Sequence, residues 1–432
     1  MKRLLLALCG LIACSPATLL AWSNHSLGTW LALADLPELR QAEPVQVERL
    51  EDFLAAEAVA LQQVLDEQEA RAREELPDYP ARPDSLRWIT DGSGDRRRAF
   101  LMALRVSPEI RLAYFVQALP GLELPAAKVL PAQDVLVFRK LSLWNEWRFL
   151  AVEPGERVSP RAVLASAADE PDYGHDINLF SDNPGEVGAL YGFGPQPFGD
   201  ARFEYSSQAP FHIGYYHESA VIYQAAPFLA RTYPELRVRQ YMALARLAFE
   251  SGHPYWGYRF LGWALHYVQD LTQPYHAKAL PGENTATLMW TAIQAALGDT
   301  SGKEAAIERV ATRHTEVEKY QADWLRRLLR EGRNDDPLLR AYADTSDDDR
   351  YPPFGPGYLQ DVVAQESYEA ADEFDERIGL WLAGAQPGQG FSAGNQLKPA
   401  ETDPALNEVL VKLIRHFAGH TRNLVKTTLD NP

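Results

Sequence analysis

Residues 254–276 read Pro254-Tyr-Trp-Gly-Tyr-Arg-Phe-Leu-Gly-Trp-Ala-Leu-His266-Tyr-Val-Gln-Asp270-Leu-Thr-Gln-Pro274-Tyr-His276. Gly252-His253-Pro254 breaks the chain, and Pro254 suits a first helical turn. The apolar run then predicts a helix to about Leu271, stopped by Pro274. His266 and Asp270 are i and i+4, so they share one helix face. An imidazole nitrogen and a carboxylate placed so can bind one cation together, and that donor set suits zinc. Pro274 turns the chain and aims His276 at a neighbouring position. One such pair alone reads more readily as ordinary histidines around a helix end.

A second pair changes that reading. His314 and Glu318 are again i and i+4, on a helix expected over about 302–331. With His276 they offer two histidines, one carboxylate and an open position for water, the composition of catalytic zinc. A third element is Trp22. If the chain is cut before it, its α-amino group and carbonyl can chelate a metal, and His25 adds an imidazole. His416 and His420 share the same spacing on the last helix, but no third ligand is evident beside them, so they read as structural. His175 and His253 read as loop histidines.

Outward from these motifs the pattern is helical. Leu50, Phe53, Leu54, Leu61, Val64 and Leu65 predict an amphipathic helix over about 46–76. Leu236, Met242, Leu244, Leu247 and Phe249 predict another over 235–250, and Asp403-Pro404 starts a last one. Residues 135–138 and 147–150 suggest a small β-ribbon. The long stretch from Asp169 to His217 is poor in periodicity, and a loop of that length usually carries function or is disordered. Residues 333–357 and 384–404 read as loops. The expected fold is all-α: one multi-helix domain over 22–432 with long loop insertions, the largest over about 84–165.

Residues 1–21 begin Met1-Lys2-Arg3 and continue into an apolar run from Leu4 to Ala13, too short to span a bilayer. They read as a secretory signal, cut either after Ala21 or, as a lipoprotein, before Cys14. The expected location is therefore secreted or periplasmic, with a lipid anchor through Cys14 as the alternative. No later segment is apolar enough for an integral membrane helix. Both cysteines, Cys9 and Cys14, lie in this leader. Disulfides are thus not available to a chain cut at Ala21, and bound metal can serve as the staple. Loss of Lys2 and Arg3 takes the net charge from -17 to -19. Such a surface repels long nucleic acids and anionic bilayers, so no stable nucleic-acid partner is expected.

These motifs resemble the zinc-dependent phospholipase C superfamily, which also contains the single-strand-specific nucleases. Its hallmark is a histidine, three residues, an aspartate, five residues and a histidine, matched by His266, Asp270 and His276. The downstream histidine–three residues–acid pair is matched by His314 and Glu318, and glutamate there is the phospholipase choice. The likeness is clearest over 241–320; mature members begin with tryptophan, as a chain starting at Trp22 would. Three zinc ions are implied. Asp172, His212, His266 and Asp270 would hold one; Trp22, His25 and the same Asp270 a second; His276, His314 and Glu318 a third. Two of these ligands have rivals close by: Asp169 for Asp172, and His217 for His212. The gap from Asp172 to His212 is wider than is usual in the family.

The resemblance implies a secreted phosphoesterase that hydrolyses the phosphodiester of a phospholipid, with Asp172 orienting or deprotonating water. Tyr173 is the candidate substrate contact; Phe211, Tyr215 and Tyr216 lie near the expected ligands and can equally be packing residues. Alternatives are a nuclease or nucleotidase on the same metals, and a non-catalytic exported protein that binds metal. N-terminal sequencing of the exported protein is expected to start at Trp22; an acylated Cys14 instead would deny Trp22 a free amine.

Overall fold

From Tyr255 to Asp270 every residue of the expected central helix is buried. A helix apolar on all sides has to be enclosed by other helices, and the fold is built around that requirement. The structure, a computed structural model, describes residues 22, 24–76, 79–90, 94–119, 128–141, 144, 147–199, 205–284, 287, 291, 294, 298–299, 301–384 and 403–430. Residues 1–21, the expected signal with Cys9 and Cys14, lie outside the described residues, as does nearly all of the expected loop 384–404.

The fold is all-α. Its longer helices are α1 (His25–Ala32), α2 (Leu50–Ala56), α3 (Ala58–Glu75), α4 (Arg96–Leu104), α5 (Pro160–Ala167), α6 (Pro234–Glu250), α7 (Pro254–Asp270), α8 (Ser301–Glu331), α9 (Gln365–Gly384) and α10 (Pro404–Asp430). The central α7 packs against α6, α5 and α10. Two glycines set how close its neighbours come. A Cβ on Gly262 would lie 2.5 Å from Ala167 Cβ and 2.8 Å from the Leu164 carbonyl; one on Gly257 would lie 2.6 Å from the Phe249 ring. The close approach of α5 at Gly262 is what brings the Ala168 carbonyl to His266. Helix α1 lies against α5, α10 and the short helix Pro337–Ala343. No described helix is long and apolar enough to cross a membrane.

Several boundaries differ from expectation. The 46–76 helix is two helices broken at Glu57, whose φ of -103° and ψ of 21° leave the helical region. It starts at Leu50 because Val45–Gln46 (β1) pairs antiparallel with Arg157–Val158 (β5). The second sheet runs β2 (Phe115–Gln117), β4 (Phe149–Ala151) and β3 (Val129–Leu130), all antiparallel. Residues 149 and 150 of the expected ribbon are therefore strand, but 135–138 are not. Pro131 opens a 3-10 turn at Ala132–Asp134 instead. Val135, Leu136 and Phe138 then bury together with Trp144, Phe149 and Tyr173, without alternating sides. The 333–357 loop contains the helix Pro337–Ala343, capped by the Asp336 carboxylate on the Leu338 N–H. Stretch 84–165 is no mere appendage: Phe100, Leu101, Leu104, Val163 and Leu164 belong to the main core.

Two buried ion pairs fasten the segment after α5 to the central helices. Glu170 takes Arg259 Nε at 3.0 and 3.1 Å and Trp263 Nε1 at 2.7 Å. Asp176 takes Arg237 Nε at 2.8 Å, Arg237 Nη2 at 2.6 Å and the Tyr267 hydroxyl at 2.6 Å. Buried charges persist only when paired and hydrogen-bonded, so these pairs fix the turn between them. Gly262→Ala is expected to force α5 away from α7 and cost about 1–3 kcal/mol in denaturant unfolding; an unchanged unfolding midpoint would refute the close contact.

Candidate metal centre

The turn Glu170–Tyr173 holds Asp172 over the C-terminal half of α7. From α7 come His266 and Asp270, from α1 His25, and from the short helix Ala209–His212 comes His212. His266 Nε2 lies 3.0 Å from His212 Nδ1, 3.3 Å from Asp270 Oδ2 and 3.7 Å from Asp172 Oδ1. Asp270 faces both ways: its Oδ2 is 2.8 Å from His212 Nδ1 and its Oδ1 is 3.4 Å from His25 Nε2. Two sets, His25–Asp172–His266 and His212–His266–Asp270, have ligand atoms within 4.8 Å of one another and could each hold a metal ion. All of these residues are buried.

The far sides of the rings decide which nitrogen faces inward. Gln269 Nε2 donates to the hydroxyls of Thr29 and Thr421, so its Oε1 accepts from His25 Nδ1 at 3.0 Å. His266 Nδ1 donates to the Ala168 carbonyl at 2.7 Å, and His276 Nδ1 to the His212 carbonyl at 2.7 Å. In each ring the Nε2 lone pair is left pointing into the centre, as outer-shell hydrogen bonds do for metal-ligating histidines. The turn Pro274–Ala277 and the His212 segment also bind in return, through Gly214 N–H to the His276 carbonyl at 2.9 Å.

The second cluster is His276, His314 and Glu318. His314 Nε2 lies 2.7 Å from Glu318 Oε1, and the His276 and His314 rings stand at 86° with centroids 5.2 Å apart. Beneath them the Tyr275 hydroxyl donates to Asp375 at 2.8 Å, and Arg313 pairs with the same carboxylate. His25 Nε2, His212 Nε2, Asp270 Oδ1, His276 Nε2, His314 Nε2 and Glu318 Oε1 are all buried with no hydrogen-bond partner among the described residues. An unmade buried hydrogen bond costs roughly 1–3 kcal/mol, and native proteins leave few of them. Of these buried donors, His25–Asp172–His266 and His212–His266–Asp270 converge closely enough to fit a divalent ion; His276, His314 and Glu318 do not converge as closely.

Charge tells the same story. Burial lowers His266 and His276 well below the usual histidine range and takes His314 down to about 3, so these rings are neutral. Burial also raises Asp172 and Glu318 well above the ordinary carboxyl value. His212 differs: burial opposes its imidazolium, but Asp270, Asp176 and Asp172 outweigh that and raise it to about 10. In the absence of metal a proton on His212 therefore supplies the cation among these acids.

The structure separates the rival ligands. Asp169 accepts from Ser26 N–H at 3.0 Å, Gln117 Nε2 at 2.8 Å and Trp147 Nε1 at 3.1 Å. It is saturated by donors and fixes the backbone beside His25, while Asp172 faces the histidines. His217 binds the Gln360 carbonyl at 2.8 Å and packs by Tyr368, away from Asp270; His212 is the one in the cluster. Trp22 is anchored through its indole, which donates to Thr272 Oγ1 at 2.9 Å and meets Phe417 edge-on. Tyr173 is not presented to a substrate: it is 4% exposed, packs on Phe115 and Phe149, and its hydroxyl donates to Gln117 Oε1 at 2.7 Å. Phe211 and Tyr215 are likewise buried, which leaves no aromatic cage from these rings. Asp176 is a residue the sequence reading missed; its Oδ2 faces His212 Nε2 at 3.4 Å. Its partner Arg237 is fully buried, which the alternating charges Glu235, Arg237 and Arg239 do not reveal in the sequence.

The chain matches no family model, no curated protein and no solved structure.

Zinc added to chelator-stripped protein is expected to raise stability, by about 2.7 kcal/mol at a free concentration 100 times the dissociation constant. Binding should tighten as pH rises from 5 to 8, because the ion must displace the His212 proton. A melting temperature indifferent to zinc would refute a metal centre here.

Proposed function

We propose that the protein is an exported zinc-dependent phosphoesterase that hydrolyses the phosphodiester of a phospholipid, as a phospholipase C does. One observation carries this reading: each of the two His–carboxylate clusters holds buried nitrogen and oxygen atoms with no hydrogen-bond partner among the described residues. The phospholipase-like glutamate at position 318 supports a lipid rather than a nucleic-acid substrate. His212, His266, Asp270 and Asp172 would hold one ion, Trp22, His25 and Asp270 a second, and His276, His314 and Glu318 a third. Bound zinc would supply positive charge that draws the phosphate and makes water more acidic.

The chain's own groups do the rest. In its ionised form Asp172, whose affinity for a proton is raised by burial, would accept the proton of the attacking water. The water oxygen bonds to phosphorus as the bond to the glycerol oxygen breaks; that oxygen takes a proton and leaves as diacylglycerol. No covalent intermediate with the chain is formed. Asp169 holds Ser26 and thereby the position of His25 through this cycle. Asp270, with one oxygen toward His25 and the other toward His212, would be shared between two of the ligand sets.

Purified protein is expected to release diacylglycerol and a phosphorylated head group from phosphatidylcholine, to lose this on chelation and to regain it with zinc. His276→Ala is expected to lower turnover by at least about 10²-fold, or 2.7 kcal/mol of barrier, while its helical circular dichroism stays near wild type. Mononucleotides released from single-stranded DNA instead of diacylglycerol from lipid would replace this reading with a nuclease. Absence of both activities in zinc-loaded protein would leave only metal binding.

A further inference from the structure

His25, His266 and His276 turn Nδ1 to acceptors on their far sides and Nε2 inward; His212 is mounted the other way round. Its Nδ1 faces the centre, 2.8 Å from Asp270 Oδ2 and 3.0 Å from His266 Nε2. Its Nε2 points outward, is buried and has no hydrogen-bond partner among the described residues. The group that stands before it is Asp176 Oδ2, at 3.4 Å.

Asp176 is a fixed point. It is fully buried, its Oδ1 accepts from Arg237 Nε and Nη2, and its Oδ2 accepts from the Tyr267 hydroxyl. Arg237 is immobile in turn: it donates to the carbonyls of Leu104 and Arg105 and to Gln240 Oε1, and the Phe211 ring lies 4.6 Å from its guanidinium carbon. Arg237 and Tyr267 stand on α6 and α7, which pack against each other. Asp176 belongs to neither convergent ligand set. With two donors on one oxygen and a hydroxyl on the other, Oδ2 keeps room for one more donor, and His212 Nε2 is the group that faces it.

The inward distances say which way His212 must move. Ligand atoms bonded to a tetrahedral zinc at about 2.0–2.2 Å stand about 3.3–3.6 Å apart. His212 Nδ1 is closer than that to both Asp270 Oδ2 and His266 Nε2, so the ring draws back when an ion comes to lie among them. The two nitrogens of an imidazole point to nearly opposite sides of the ring. Drawing back on Nδ1 therefore advances Nε2 toward Asp176 and closes the 3.4 Å gap to an ordinary hydrogen bond.

The geometry points to Asp176 as a positioning residue of the metal centre: it accepts the Nε2 proton of His212 and so fixes Nδ1 as the nitrogen offered to the ion. A carboxylate behind a ligating imidazole sets its tautomer and orientation and raises its basicity. The clamp of Arg237 and Tyr267 keeps this carboxylate from turning to the ion itself. The inference rests on the metal binding in the proposed function and not on the hydrolysis.

The test is nitrogen-15 NMR of zinc-loaded, histidine-labelled full-length protein, with His212 assigned by comparison with His212→Gln. A proton on Nε2 and zinc on Nδ1 is the expected result; zinc on Nε2 of His212 would overturn the role. In Asp176→Asn the side-chain oxygen is held by Arg237, so the amide NH2 is turned to His212 Nε2. The imidazole proton then moves to Nδ1, as an Asp-to-Asn change behind a histidine does elsewhere, and zinc affinity is expected to fall about 10–100-fold. Tyr267→Phe takes a hydroxyl from the same carboxylate but leaves the acceptor, and is expected to keep the wild-type tautomer. Weaker binding in Asp176→Asn with the tautomer unchanged marks structural damage only and overturns the inference, as does unchanged affinity. If Asp176→Asn does not fold, the wild-type spectrum decides. The expected tautomer without phosphodiester turnover sinks the hydrolysis alone; turnover with zinc on Nε2 of His212 sinks this inference alone; protein that takes up no zinc sinks both.

Discussion

Imidazoles and carboxylates taken out of water with their lone pairs turned toward one another are unfavourable unless something positive lies among them. His25, His212, His266, His276, His314, Asp172, Asp270 and Glu318 are gathered in that way, all of them buried. Hydrophobic burial of the helices that carry them has to outweigh the cost. Helix α7 supplies two of these groups and is also the most enclosed element, so the element with the most apolar burial carries the most strained polar set. The high pKa of His212 is the mark of this compromise, since a proton is the smallest cation available to the three acids around it.

The scaffold also controls position through buried ion pairs beside the centre, one of which reaches His212 through Asp176. Glu170 on Arg259 and Asp176 on Arg237 bracket Asp172 on either side in sequence. The same Arg237 donates to the carbonyls of Leu104 and Arg105 at 2.9 and 2.7 Å, which ties the end of α4 to the turn that presents Asp172. Removing one partner of such a pair leaves an uncompensated buried charge, at about 3–5 kcal/mol. Asp169 performs a related task with neutral donors only. A neutral-donor carboxylate can be saturated without a counter-ion, which is why Asp169 fixes backbone while Asp172 remains turned to the histidines.

Periodicity made the long helices legible. The bounds of α6, α7 and α8 fall within a residue or so of those expected, because each has a wide apolar stripe and a proline or glycine at an end. The i, i+4 pairs were legible for the same reason, since helix geometry alone puts His266 with Asp270 and His314 with Glu318. What sequence could not supply was everything set by contacts between segments far apart. Residues 135–138 look like a strand but bury on more than one side, so alternation gave a false period. Asp169 and Asp172 are three apart on a short turn, and only the donors arriving from Gln117, Trp147 and Ser26 tell them apart. Glu366, whose carboxylate faces His416 and His420, sits 50 residues or more from them and has no local pattern to announce it.

The exchange of hydrogen bonds between the His212 segment and the Pro274–Ala277 turn joins residues of the two buried clusters. His276 Nδ1 holds the backbone of His212, and Gly214 holds the backbone of His276. Neither stretch can peel away while the other stays in place, so the two open as one unit in the sense of local unfolding. Amide exchange and proteolysis would meet them as a single door, and whatever holds either half keeps both shut.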